Sequence, residues 1–69
     1  MSIKVCFSGD CIHDDFAGLT VRELLRICQQ ILNIPPDIVS FVNGNQQNSD
    51  YVLIEGDVVE FLKLYGRLF

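Results

Sequence analysis

Thr20-Val21-Arg22-Glu23-Leu24-Leu25-Arg26-Ile27-Cys28-Gln29-Gln30-Ile31-Leu32 is the stretch on which the reading of this chain turns. Thr20 and Glu23 have the spacing of a capping box. In that device the threonine hydroxyl accepts from the glutamate backbone N–H, and the glutamate carboxylate reaches back to the threonine N–H. Apolar residues then recur at Val21, Leu24, Leu25, Cys28, Ile31 and Leu32. Spacings of three and four draw one stripe along a helix about three turns long. Arg22, Arg26, Gln29 and Gln30 fill the opposite side. Pro35-Pro36 then stops the helix, because proline cannot continue it and pushes the preceding Ile34 out of helical geometry.

Working outward toward the amino terminus, Ile3-Lys4-Val5-Cys6-Phe7-Ser8 alternates apolar with polar or small residues, the period of a strand. Gly9-Asp10 reads as a two-residue hairpin turn. That turn sets Ser8 opposite Cys11, Phe7 opposite Ile12 and Cys6 opposite His13, with Phe7 and Ile12 together on the core face. The second strand runs from Cys11 to about Phe16 and is expected to fray or bulge at Asp14, where the alternation breaks.

Toward the carboxyl terminus, Ile38-Val39-Ser40-Phe41-Val42 is a β-branched and aromatic run that ends at Asn43-Gly44. Both of these residues tolerate positive φ, which makes the pair a strong hairpin signal. Asn45-Gln46-Gln47 is a short return strand, polar enough for a sheet edge. Asn48-Ser49-Asp50 is loop, Tyr51-Val52-Leu53 is expected as a single turn over the core, and Glu55-Gly56-Asp57 is another turn. Val58 to Leu64 forms a long apolar final strand. The first and last strands are the most apolar and are expected side by side, parallel, at the sheet centre. The expected fold is α+β, a β-grasp of four or five strands in a mixed sheet with one helix on one face. Residues 1–69 form one domain.

A chain of 69 residues buries only ~60% of the surface its unfolded form exposes, so it needs a dense core. Its 49% apolar content supplies one. No run approaches the ~20 apolar residues of a membrane span. Met1-Ser2-Ile3-Lys4 lacks the layout of a secretion signal, so a soluble, cytoplasmic protein is expected. Nine acidic against five basic residues give a formal charge of −4. That balance repels phosphate backbones, argues against nucleic-acid binding, and suits a partner with a basic patch. Cys6, Cys11 and Cys28 are odd in number and irregular in spacing, which points to reduced thiols, with Cys28 in the core.

Three segments carry a resemblance. Thr20-Val21-Arg22-Glu23-Leu24-Leu25 is similar to the T-V-x-E-L-L helix start of the sulfur-carrier proteins of thiamine and molybdopterin synthesis. Phe41-Val42-Asn43-Gly44 resembles their V-N-G turn, and Leu53-Ile54-Glu55-Gly56-Asp57-Val58-Val59 their L-x-x-G-D-x-V entry to the last strand. The order matches along nearly the whole chain, within the wider ubiquitin-like β-grasp group. The resemblance implies a tail ending in Gly-Gly, activated by an adenylating enzyme and converted to a thiocarboxylate or joined to an amine. Here the sequence reads Leu64-Tyr65-Gly66-Arg67-Leu68-Phe69. Gly66 falls about where the diglycine begins, and bulky residues follow it. Two readings stand open. A processing peptidase removes Arg67-Leu68-Phe69 and exposes Gly66 as the reactive terminus, or the fold serves as a non-conjugating binding or regulatory module.

Other constellations offer less chemistry. Cys6, Cys11 and His13 fall short of the four ligands of a structural zinc, with only acidic residues such as Asp15 to complete the set, and a sheet face in so small a domain offers little pocket for thiolate catalysis. Asp14 and Asp15 are expected to be solvated, and Asp57 to accept backbone N–H bonds in its turn. No catalytic residue, cofactor or metal ligand is assigned. The face of the sheet away from the helix is the more informative surface. Strict alternation turns part of the apolar set of both long strands outward, whichever parity holds. Leu62, Leu64, Tyr65 and Val42 are the expected partner-binding residues, with a second copy of the chain or the tail residues Leu68 and Phe69 as alternative covers.

Overall fold

The computed structural model describes residues 3–35 and 37–63. The elements follow the expected order: β1 (Ile3–Phe7), β2 (Asp10–Asp14), α1 (Val21–Leu32), β3 (Ile38–Val42), β4 (Asn45–Gln47) and β5 (Val58–Lys63). The sheet runs β2-β1-β5-β3-β4, with β1 and β5 parallel and the other pairs antiparallel. One helix and a mixed five-stranded sheet with a parallel central pair make this an α+β fold of the β-grasp kind.

The helix begins as its sequence dictates. The Thr20 hydroxyl accepts from the Glu23 N–H at 3.2 Å, and the Thr20 N–H donates to the Glu23 carboxylate at 2.9 Å. Its end comes earlier than the prolines require. Asn33 takes a left-handed conformation (φ 55°, ψ 46°) and caps the helix two residues ahead of Pro35. Val21, Leu24 and Cys28 are sealed against the sheet, whereas Ile31, expected on the core stripe, is 56% exposed. Ile31 sits in the last turn and on the margin of the stripe, beside the exposed Ile27.

The sheet supplies the rest of the core. Ile3 and Val5 from β1, Val59 and Phe61 from β5, and Val42 from β3 face the helix together with Phe16, Ile34 and Leu53. The register explains why. Val5 stands beside Val59 and Phe7 beside Phe61, while Val59 stands beside Val42 and Phe61 beside Ser40. Paired residues share a face, so one alternation runs across three strands.

The first hairpin corrects the expected turn. Its two-residue bend is Ser8-Gly9, not Gly9-Asp10, and both residues have positive φ (53° and 87°). Two-residue turns of that hand match strand twist, and glycine at the second position removes most of the steric cost. The slip moves each partner by two residues: Phe7 faces Asp10, Val5 faces Ile12 and Cys6 faces Cys11. A shift of two keeps the faces, so Phe7 and Ile12 still pack against the core. It also replaces the expected Cys6–His13 neighbours with a Cys6–Cys11 disulfide, correcting the reduced-thiol reading for these two; Cys28 is the free cysteine among the described residues, and it is buried. Asn43-Gly44 forms the second turn of the same kind, with φ 53° and 86°.

Residues 51–53 are extended rather than a turn over the core. Val52 bridges Thr20, the Leu53 N–H donates to the Leu19 carbonyl at 2.8 Å, and the Gly18 N–H donates to the Leu53 carbonyl at 2.9 Å. The segment pairs with the chain entering the helix and so fixes where the helix starts. Arg22 adds a surface clasp, an ion pair to Asp50 at 3.2 Å and a hydrogen bond to the Ser49 hydroxyl at 3.2 Å. No helix among the described residues is long and apolar enough to cross a membrane.

Candidate functional site

The outer face of the sheet, away from the helix, is built by the other half of each alternation. On β5 this half is Val58, Glu60 and Leu62; on β3 it is Val39 and Phe41; on β1, Lys4 and Cys6; on β2, Cys11 and His13. Leu62 lies beside Val39, Phe41 beside Glu60, and Val58 beside Lys4. Leu62 is 41% exposed, Val58 is exposed as well, and Val39 and Phe41 are half-buried. The result is an apolar surface of four side chains around one exposed carboxylate, Glu60.

Of the expected binding residues, Leu62 lies on this face. Val42 does not. It is 2% exposed and packs beneath the helix, because β3 has the opposite parity: Val39 and Phe41 turn outward and Val42 inward. Leu64, Tyr65 and Gly66, with the tail to Phe69, lie outside the described residues. Val39, Phe41 and Val58 are members of the face that the expected binding set did not name. The Val42–Val59 pairing is the signal that would have assigned them, since one buried pair fixes the parity of both strands.

A second cluster lies at the far end of β5 from Leu62, where the two resembling turn motifs meet. Asp57 is 3% exposed and accepts three hydrogen bonds: from the Asn43 side-chain amide at 2.9 Å, the Tyr51 hydroxyl at 3.2 Å and the Ile54 N–H at 3.0 Å. Asn43 completes the link, accepting from the Val58 N–H at 3.0 Å through its side chain and donating its own N–H to the Val58 carbonyl at 2.8 Å. Burial and the adjacent Asp57 carboxylate hold the Tyr51 phenol above its ordinary range. Asp57 was expected to accept a local backbone N–H in its turn; the Ile54 bond is that contact, and the bonds from Asn43 and Tyr51 extend it. The Ile54 bond closes the turn of Asp57 itself, and the Asn43 bond clamps that turn to the Asn43-Gly44 hairpin, so the cluster is structural chemistry. Asp14 and Asp15 are exposed at the end of β2, as expected.

Among the described residues no three His, Cys, Asp or Glu side chains gather as a metal site. An open groove of about 470 Å³ runs along the solvent side of α1 between Leu19, Ile27 and Ile31, edged by Glu23, Arg26 and Gln30. Comparison with protein-family models gives no match, and comparison with curated proteins gives none either.

Proposed function

We propose that this chain is a ubiquitin-like binding module that holds a protein partner on its outer sheet face. The observation that carries the reading is the Val39–Phe41–Val58–Leu62 surface around Glu60, formed by side chains the core does not need. A contiguous apolar patch on so small a domain marks an interaction site. Its single central carboxylate suits a partner that brings one lysine or arginine into an otherwise apolar contact. Leu62→Asp and Val58→Asp place a charge in that contact and leave the buried half of β5 untouched. Each is expected to weaken partner capture by tenfold or more, about 1.4 kcal/mol or greater, with the fold intact. Unchanged capture by both variants would reject this face.

A second reading, the carrier, draws on a separate observation. The motifs that resemble the sulfur-carrier proteins are not independent pieces of turn chemistry, because Asn43 of one and Asp57 of the other bond directly. In this reading a peptidase removes Arg67-Leu68-Phe69, an adenylating enzyme activates the Gly66 carboxylate, and the outer face docks that enzyme in the cytoplasm. Intact-mass measurement of the protein from its native host decides it. A chain ending at Gly66, or a thiocarboxylate or adduct there, supports the carrier; a uniformly intact Phe69 leaves the binding module alone.

A further inference from the structure

We propose that Cys6 and Cys11 form a reversible dithiol–disulfide site on the outer face, opened by a dithiol reductant that attacks at Cys11. The site is independent of the partner reading and rests on four features of the hairpin.

The first is register. Phe7 and Asp10 flank the two-residue turn and form its hydrogen-bonded pair, so Cys6 and Cys11 occupy the next position, a non-hydrogen-bonded pair. Such pairs bring opposed side chains closest, and the two α-carbons are 4.1 Å apart. The hairpin therefore presents both sulfurs to each other whether or not they are bonded.

The second is access. Cys11 is exposed and belongs to β2, at the margin of the sheet, while Cys6 is half-buried on β1 between β2 and β5. A nucleophile reaches Cys11 first, and exposed disulfides are the labile ones. The third is redundancy. The bond spans a sequence separation of 5, inside a hairpin already fixed by the Ser8-Gly9 turn and by Ile3 and Val5 in the core. Opening it leaves those anchors in place. The fourth is isolation. Cys28, the remaining thiol, is fully buried on α1, and burial raises its pKa, so it neither attacks the pair nor competes for the reductant.

The exchange balances. A thiolate of the reductant attacks the Cys11 sulfur, the S–S bond breaks, and Cys6 leaves as a thiolate that takes up a proton. The second thiolate of the reductant then attacks the mixed disulfide, forms the reductant's own disulfide, and releases Cys11 as a thiolate, which is protonated in turn. Two electrons and two protons pass from the dithiol to the chain, and one disulfide forms for each one broken.

The test is native-state alkylation of the full chain, read by intact mass after equilibration with dithiothreitol at graded ratios of its reduced and oxidised forms. The expected result is a reversible step from no alkyl groups to two, with circular dichroism unchanged and the third group added only in denaturant. A step straight from none to three, or two additions that come with loss of the fold, would show a purely structural bond and overturn the proposal. So would failure to add alkyl groups in excess reduced dithiothreitol. The point of attack is read separately by brief exposure of the disulfide form to reduced glutathione, acid quenching and peptide mapping. The first mixed disulfide is expected to carry glutathione on Cys11 with Cys6 free; adducts equally or mainly on Cys6 overturn the assignment to Cys11.

Discussion

The two faces of the sheet are made from the same strands and have opposite fates. Phe61 and Leu62 are chain neighbours on β5, yet Phe61 is sealed under the helix and Leu62 stands in solvent. The helix-facing half of the alternation is apolar at the centre of the sheet except for the buried Ser40 beside Phe61: Val5 beside Val59, Val59 beside Val42, Phe7 beside Phe61. The outer half mixes Val58, Leu62, Val39 and Phe41 with Lys4, Glu60 and His13. A sheet covered on one side needs only one apolar face. The apolar residues on the other side are therefore surplus to folding, and that surplus is what binding can use.

Substitutions separate the two roles, beginning with the largest effect. Phe61→Ala empties the centre of the core and should cost about 3–5 kcal/mol, enough to threaten folding altogether. Urea unfolding monitored by circular dichroism checks it, and a loss near that of a surface change would place Phe61 on the wrong face. Asp57→Ala strands three donors around a buried site and should cost roughly 2–3 kcal/mol by the same measurement. Thr20→Ala removes one side of the capping box and should cost about 1 kcal/mol.

A pH effect of smaller size comes from Tyr51. Its phenol is raised in the folded state, first by burial and then by the Asp57 carboxylate. A raised folded-state value means the neutral phenol carries the stabilisation. That contribution is complete below the unfolded tyrosine value of about 10 and is lost as the pH climbs above it toward the folded value. Tyr51→Phe should flatten the decline in stability above that point; an unchanged slope would separate Tyr51 from it. The smallest effect belongs to the outer face, where Leu62→Asp should change stability by less than about 0.5 kcal/mol.

Much of this was legible in the sequence because the local signals agreed with the global fold. The Thr20–Glu23 box, the Asn43-Gly44 turn and the β-branched run of β3 each specify one conformation; α1 begins, and β3 and β4 begin and end, where those signals place them. What escaped was decided by small differences between neighbours. Ser8-Gly9 and Gly9-Asp10 are both acceptable two-residue turns, and because their registers differ by two residues both put Phe7 and Ile12 on the core face, so periodicity does not separate them. The parity of β3 was open because Ile38, Val39, Phe41 and Val42 are all apolar, which leaves Val42 and Phe41 interchangeable by composition alone. The Asn43–Asp57 bond joins residues fourteen apart, a contact no local pattern announces. The extended Tyr51–Leu53 segment likewise depends on a partner, Leu19, on the far side of the helix in the chain.

The claim that one face folds the domain and the other binds a partner is tested most directly by site-specific photo-crosslinking in the native host. A photoreactive residue at position 62 samples the outer face, and one at position 26 samples the solvent side of α1. The account predicts a discrete protein adduct from position 62 that disappears when Val58→Asp is added, and none of comparable yield from position 26. Equal adducts from both positions, or an adduct from the helix alone, would contradict it.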